Sequence, residues 1–293
     1  MKYTSFNIFS EAYEKVLDEV FNRPQYISSP RGLECKEILD LGFSIQDPYA
    51  CLYLNPVRSS QFKYIAGELL WYLAKDRKTD FIHNYSKFWK SLVDKEGNIN
   101  SNYGYLITEN NQNGVNSWQW AIQSLIKDKD TRQAIIFFNK PNYQKDTKDF
   151  PCTIYGNFHI RDNKLNLSIK MRSNDLILGM PTDVAFFCFL QICAYNLLLK
   201  YYPDLQLGSY THHADSAHIY ANKYEIVDKM LQSKFTNARL PLMNEIIFDE
   251  TGEVDLNLKL FIKYFYEKLE TPSVESFNTI FMALIRYFLN QEK

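Results

Sequence analysis

Apolar residues recur at three- to four-residue steps through Phe6, Phe9, Ala12, Val16 and Val20, which predicts a helix over 5–22. The same spacing in Ile65, Leu69, Tyr72 and Leu73 predicts a second helix over 61–75, with Glu68 on its apolar side. Helical segments are also expected over 80–93, which carries Phe88 and Trp89, and over 117–127. Residues 38–46 and 132–138 read as strands, and Ser28–Lys36 reads as a loop around Arg31-Gly32. Asparagine and glycine crowd 98–116, which predicts loop, and Pro141–Lys148 is a polar turn. Alternating segments 153–160 and 164–171 flank Arg161-Asp162-Asn163 and read as a hairpin. From Val184 to Leu199 the pattern is apolar almost all round, as in a buried core helix. Residues 205–220 suggest a strand with a polar interruption at His213–Ser216; 221–293 is mostly helical with a break around 241–252. No repeat, linker or low-complexity block divides the chain. The economical expectation is one α+β domain over 1–293, with 225–293 a mostly helical C-terminal extension.

Composition narrows the function classes. At 293 residues and 46% apolar content, the chain can bury a sizeable core. A formal charge of −1 excludes a strongly basic protein that coats nucleic acid, so an anionic ligand must be met by a few placed arginines. Cys35, Cys51, Cys152, Cys188 and Cys193 show no CxxC and no metal-ligand spacing, which points to reduced thiols and no metal site. The N-terminus carries acids early and lacks an apolar signal core. No apolar run approaches the 18 or so residues of a membrane span. The expected setting is the cytoplasm, with no membrane and no nucleic acid required.

The chemistry concentrates between Asp149 and Asp183, which reads DFPC, the hairpin, then MRSNDLILGMPTD. If the hairpin folds back, a thiol, a guanidinium and a hydroxyl (Cys152, Arg172 and Ser173) come within reach of one another. A lone cysteine is more often a small buried hydrophobe. Here the preceding proline and a nearby Arg172 are expected to expose the thiol and lower its pKa. Arginine suits bidentate phosphate binding, and serine adds a neutral donor. Glu68 on an apolar face is either a satisfied buried acid or a proton carrier, because burial raises a carboxyl pKa toward neutrality. His218 and Tyr220 stand two apart and share a strand face.

Pro151-Cys152, the Arg172-Ser173…Asp175 loop, Leu178-Gly179…Pro181 and Asp215-Ser-Ala-His218-Ile-Tyr220 resemble, in order and spacing, the thymidylate synthase superfamily. The resemblance runs from about Arg31 to Asn222. It implies a thymidylate synthase-like fold, with a mixed β-sheet packed at a homodimer interface and a long buried core helix. It also implies a pyrimidine nucleoside monophosphate as substrate and 5,10-methylenetetrahydrofolate as cosubstrate. By resemblance, Cys152 adds to C6 of the pyrimidine, Glu68 in its GELLW context is the acid/base, and Tyr103 lies near the reacting centre. Arg31, Arg132, Arg172 and Ser173 bind phosphate, with Arg132 crossing from the partner subunit. His218 and Tyr220 hold the ribose hydroxyl, while Arg58, Trp89, Asp175 and Gly179 line the folate site. His83, His159 and His212 gain nothing from the comparison and read as structural.

Departures from the family pattern carry the finer information. Gln133 follows Arg132 where the family has paired arginines. Asp183 stands where thymidylate synthases have asparagine, and the deoxycytidylate hydroxymethylases of the superfamily have aspartate there. As a local signal, Asp183 after Pro-Thr would cap the following helix. As a base reader, a carboxyl accepts from N4–H₂ of cytosine and, when protonated, also satisfies N3. The chain ends in the polar stretch Phe288–Lys293, unlike the short apolar tail that closes a thymidylate synthase site, which suggests a wetter site. The expected activity is C5 hydroxymethylation of a cytosine nucleotide. The competing readings are a thymidylate synthase acting on dUMP and a non-catalytic nucleotide- or RNA-binding relative.

Overall fold

The computed structural model describes residues 4–140, 147–269 and 279–291. Strand β1 (Thr4–Phe6) precedes helix α1 (Phe9–Asn22), followed by β2 (Tyr26–Ser28), β3 (Cys35–Ile45), β4 (Leu52–Leu54) and α2 (Phe62–Leu73). Next come α3 (Tyr103–Thr108), α4 (Ser117–Lys127), β5 (Ile135–Phe137) and the hairpin β6 (Thr153–Arg161) with β7 (Lys164–Met171). The short β8 (Asn174–Asp175) leads into α5 (Met180–Leu198) and the long β9 (Gln206–Tyr220). The described chain closes with α6 (Tyr224–Leu231), β10 (Thr236–Ala238), α7 (Leu256–Lys268) and α8 (Ile280–Leu289).

One mixed sheet runs β1-β3-β9-β7-β6-β5, with β2 added beside β3 and β8 beside β9. Parallel pairing of β7 with β9 requires a crossover, and α5 supplies it. Because the crossover helix lies under the sheet it connects, α5 is apolar on nearly every side and its Val184–Leu190 run is buried. Along β6 and β7 the period of two sends Phe158, Ile160, Leu165, Leu167 and Ile169 into the core. The opposite face carries a row of half-buried polar residues, Asn157, Ser168, Thr211 and Ser44, aligned strand by strand. Described parts of the C-terminal stretch pack on this body: β10 pairs with β4, and α8 packs on α2 with Phe288 against Phe62 at 5.2 Å.

Several sequence expectations change. The stretch 5–22 is a strand and then a helix, because Thr4–Phe6 pairs in parallel with Phe43–Ile45 at the sheet edge. Residues 80–93 form two 3-10 turns, Ile82–Asn84 and Lys87–Ser91, rather than a helix. The Asn84 amide donates to the Asp80 and Phe81 carbonyls that a longer helix would use. The asparagine-rich 98–116 stretch contains α3, with the Asn102 side chain accepting from Tyr105 N as its cap. Strand β9 runs through His213–Ser216 without a break, held by β3 on one side.

Helix α5 begins at Met180, four residues earlier than the pattern indicated, with Pro181 in its first turn. Its 19 residues make it long and apolar enough to cross a membrane, so the expectation that no apolar run approaches that length is corrected. Its side chains are buried inside the protein instead. Glu292, Lys293 and most of the Pro141–Lys148 turn lie outside the described residues.

Candidate active site

The hairpin delivers the thiol and the guanidinium together. Arg172 N donates to the Cys152 carbonyl at 2.8 Å, which fixes the two residues side by side. The Arg172 guanidinium then folds back, donating from Nε to Pro151 O at 3.1 Å and from Nη2 to Phe150 O at 2.7 Å. Nη2 lies 3.6 Å from Cys152 Sγ. Buried Asp149 accepts from Asn100 N at 2.6 Å, from Ser101 N at 2.8 Å and from the Ser101 hydroxyl, tying the chain before α3 to the cysteine segment. The sequence led us to expect a thiol with lowered pKa. Burial instead pushes the Cys152 thiol up and outweighs the opposing Arg172 charge.

A cleft of about 1120 Å³ opens beside this pair. Helix α2 contributes Tyr64, Glu68 and Tyr72, four residues apart and therefore on one face. Glu68 is only 6% exposed, and burial pushes its carboxyl up to about 7 despite two hydroxyl donors, Tyr64 and Tyr72. Tyr64 Oη donates to Glu68 Oε1 at 2.7 Å and accepts from Trp89 Nε1 at 3.0 Å. Tyr103 is buried, its ring stacked on Tyr72 at 5.4 Å and its hydroxyl bonded to Thr153 Oγ1 at 2.8 Å. A carboxyl that titrates near neutrality can take and return a proton at working pH.

Asp183 reaches the same space from the first turn of α5. It does not cap that helix: the cap position is Gly179, and no side chain bonds there. Its Oδ2 accepts from Asn174 Nδ2 at 2.7 Å. Burial, and then the neighbouring Glu68 charge, hold the Asp183 carboxyl well above the usual carboxylate range.

The remaining residues sit around the mouth. Strand β8 pairs with Ala217 and His218, so the Arg172–Gly179 loop is stitched to the end of β9. Ser173, His218 and Tyr220 line the cleft, the two rings of His218 and Tyr220 edge-on at 5.0 Å. Arg31 lines it from the turn at Pro30–Gly32, with φ 55°. Asp175 Oδ1 accepts from Ile177 N at 2.7 Å and Leu178 N at 3.0 Å, which shapes the turn before α5. Arg58 lines the cleft too, and its buried Nε has no hydrogen-bond partner among the described residues.

Of the residues given a catalytic or binding role from the sequence, all but Arg132 line this cleft; Arg132 is exposed at the foot of β5. A second cleft of about 680 Å³, between the end of α2 and α7, contains none of them.

The sequence reading gave no site role to Tyr64, Tyr72, Asn174 and Asp149, and it read His212 as structural. The tyrosines were findable, since they stand four residues either side of a carboxylate on a predicted helix. Asn174 and His212 were not. They are 38 positions apart and meet, at 2.9 Å, only through the β8–β9 pairing.

A family model described as thymidylate synthase matches residues 11–261. The chain is 28% identical over 218 residues to the deoxycytidylate 5-hydroxymethyltransferases of Enterobacteria phages T4 and T2, covering 69% of this chain and 82% of each relative. It is also 28% identical over 237 residues to the deoxyuridylate hydroxymethyltransferase of Bacillus phage SP01, covering 73% of this chain and 58% of that protein.

Proposed function

The chain belongs to the thymidylate synthase family, and from that premise we propose that this one-carbon transferase hydroxymethylates C5 of a cytosine nucleotide, dCMP or CMP. The observation that carries the base assignment is Asp183, a carboxyl with a raised pKa on the cleft floor. A neutral carboxyl pairs a donor and an acceptor with N3 and N4–H₂ of cytosine, whereas an ionised one would set an acceptor against O4 of uracil. The deoxycytidylate enzymes of phages T4 and T2 support the reading, and the deoxyuridylate enzyme of phage SP01 makes uracil its nearest competitor.

The cleft suits two ligands, since about 1120 Å³ exceeds the roughly 300–1,000 Å³ typical of one small molecule. Arg58, Trp89, Asp175 and Gly179 would hold 5,10-methylenetetrahydrofolate, and the unpartnered Arg58 Nε suits an anionic group on it. When bound, this cosubstrate supplies the one-carbon unit that becomes attached to C5. The protein's own residues manage the rest.

Cys152 gives up its thiol proton to water in the cleft as Sγ adds to C6, and the displaced π pair makes C5 nucleophilic. Glu68, poised near neutrality, takes the proton leaving C5, would return it to the departing amine of the cosubstrate, and then takes the proton of the water whose oxygen ends in the hydroxymethyl group. Expulsion of Cys152 as thiolate then restores the C5–C6 double bond. Tyr103 packs beside this centre. Arg31, Arg172 and Ser173 meet the phosphate, and His218 and Tyr220 meet the sugar.

The active unit in this proposal is a single 1–293 domain in a homodimer, working in a cytoplasm. Arg132 lies outside its own cleft and would complete a partner's phosphate site, with the half-buried polar sheet face as the contact. Gln133 leaves one phosphate contact to other residues. Tritium release from [5-³H]dCMP and [5-³H]dUMP, with the products identified, tests the whole reading. Release from the cytosine nucleotide with a hydroxymethyl product is expected. Release from dUMP with a methyl product would make the protein a thymidylate synthase. Release from neither would favour a non-catalytic nucleotide- or RNA-binding role.

A further inference from the structure

We infer that Tyr210, His212 and Asn174 form a positioning relay that decides which oxygen of Asp183 carries its proton, and so makes the cleft read cytosine against uracil. The inference rests on the base assignment above and goes beyond it, because it explains how one carboxyl tells two bases apart. The relay is continuous. Tyr210 Oη lies 2.8 Å from His212 Nδ1, His212 Nε2 lies 2.9 Å from Asn174 Oδ1, and Asn174 Nδ2 lies 2.7 Å from Asp183 Oδ2. Tyr210 and His212 are fully buried and Asn174 is 3% exposed, so water is kept from the first two bonds, while the third ends on half-buried Asp183 at the cleft.

The donors run in one order. Asn174 donates to Asp183, so its own oxygen must accept from His212 Nε2–H. His212 Nδ1 is then the acceptor of the Tyr210 hydroxyl proton. This order needs a neutral imidazole, and burial holds His212 down to about 3. Only this order serves Asp183 in both of its protonation states, since an ionised carboxylate accepts but never donates.

A free carboxylic acid could pair with either base. With the proton on one oxygen it offers donor then acceptor, and with the proton on the other it offers the reverse. Asn174 biases that choice, because an Oδ2 that carries the proton is the poorer acceptor for the Nδ2 hydrogens. The proton is favoured on Oδ1, and one of the two readings is disfavoured. Gly179 guards the contact. A Cβ there would lie 3.0 Å from Asn174 Nδ2 and 3.1 Å from Asp183 Oδ2, and one of them would have to give.

The test is equilibrium binding of dCMP and dUMP, without cosubstrate, to the wild type, Asn174→Ala, Tyr210→Phe and Gly179→Ala. The wild type is expected to prefer dCMP. Asn174→Ala should lower that preference about tenfold, the loss of one buried hydrogen bond's worth of discrimination. Gly179→Ala and Tyr210→Phe should lower it less, in that order. Equal weakening of both nucleotides in Asn174→Ala would overturn the relay.

A second measurement does not depend on which base binds. The Asp183 carboxyl band, identified in difference infrared spectra by its loss in Asp183→Asn, should shift upward in ligand-free Asn174→Ala as its carbonyl loses a donor. No shift overturns the relay. Wild type that prefers dUMP overturns the base assignment instead.

Discussion

The floor and the mouth of the cleft are built on opposite principles. On the floor, Glu68, Tyr103 and Trp89 are at most 8% exposed and each is already hydrogen-bonded within the protein. At the mouth, Arg31 is exposed on a left-handed backbone, φ 55°, a conformation that costs a non-glycine residue on the order of 1 kcal/mol. Desolvation pushes buried Glu68, half-buried Asp183 and, at the edge of the floor, Cys152 the same way, toward their protonated forms. The mouth keeps its charge in contact with water. A dry, pre-bonded floor is suited to moving protons and reading a base, while a wet cationic mouth is suited to collecting a phosphate. Substitutions on the floor should therefore move rate, base ratio and pH dependence; those at the mouth should move affinity and its salt dependence.

Cys152 stands at the boundary and gives the largest effect. Cys152→Ala and Cys152→Ser are expected to abolish turnover while nucleotide binding stays within about tenfold, or roughly 1.4 kcal/mol. In the proposed mechanism the thiol acts on the transition state, whereas base and phosphate contacts hold the ground state. Single-turnover product from Cys152→Ala, measured by rapid quench, would remove the covalent step from the mechanism.

Glu68→Gln separates stability from activity on the floor. The folded carboxyl titrates near 7 against 4.5 in an unfolded chain, so it is the protonated form that the fold favours. Its contribution to stability is present below about 4.5 and is lost as pH rises through about 7. Glu68→Gln cannot ionise, so it should be more stable than wild type at pH 8, on the order of 3 kcal/mol, and equal to it at pH 4. Turnover should fall at least a hundredfold. Urea melts at both pH values, beside kcat, check this. A variant that melts earlier at pH 8 would show that the carboxylate is stabilised by partners after all.

Asp183→Asn should exchange the base rather than stop the enzyme. An amide restores a donor toward O4 and an acceptor toward N3–H, and each mismatched polar pair costs on the order of 1–3 kcal/mol. The ratio of kcat/KM for dCMP over dUMP should fall about 10- to 100-fold. Since Asp183 does not cap α5, thermal melts should change little, and an unchanged base ratio beside a lowered melting point would count against base reading.

The floor was also the part less legible in the sequence. The hairpin, α2 and α5 follow from alternation and helical periodicity, and Cys152, Glu68 and Asp183 stand on them. What the pattern concealed depends on contacts made at a distance. The Asn- and Gly-rich run before α4 looks like loop, yet α3 forms there because tertiary contacts demand those residues. Asn102 donates to Trp71 O and Asp76 O, and a Cβ on Gly104 would lie 1.8 Å from the Tyr72 carbonyl oxygen. Composition is ambiguous between a turn and a close approach, and only packing decides. The thiol was misjudged for a related reason: sequence proximity to an arginine is visible, but the desolvation that outweighs it is not.

Tyr64→Phe should give the smallest effect and the sharpest view of the floor. The substitution keeps the ring and removes only the hydroxyl, which donates to Glu68 Oε1 and accepts from Trp89 Nε1. That hydroxyl holds the Glu68 pKa below what burial alone would give, so its loss raises the pKa further. If Glu68 must be ionised to accept a proton, the acid limb of kcat moves to higher pH by up to about one unit, as one hydrogen bond to a charged group implies. At pH 9, where Glu68 is ionised in both proteins, wild type and variant should differ only a few-fold. At pH 6.5 the gap should widen toward tenfold. Loss of packing would lower kcat by one factor at every pH, so the shape of the profile, rather than its height, distinguishes the two causes. A limb that moved to lower pH would mean that Tyr64 favours the protonated carboxyl, and that Glu68 enters the reaction as an acid.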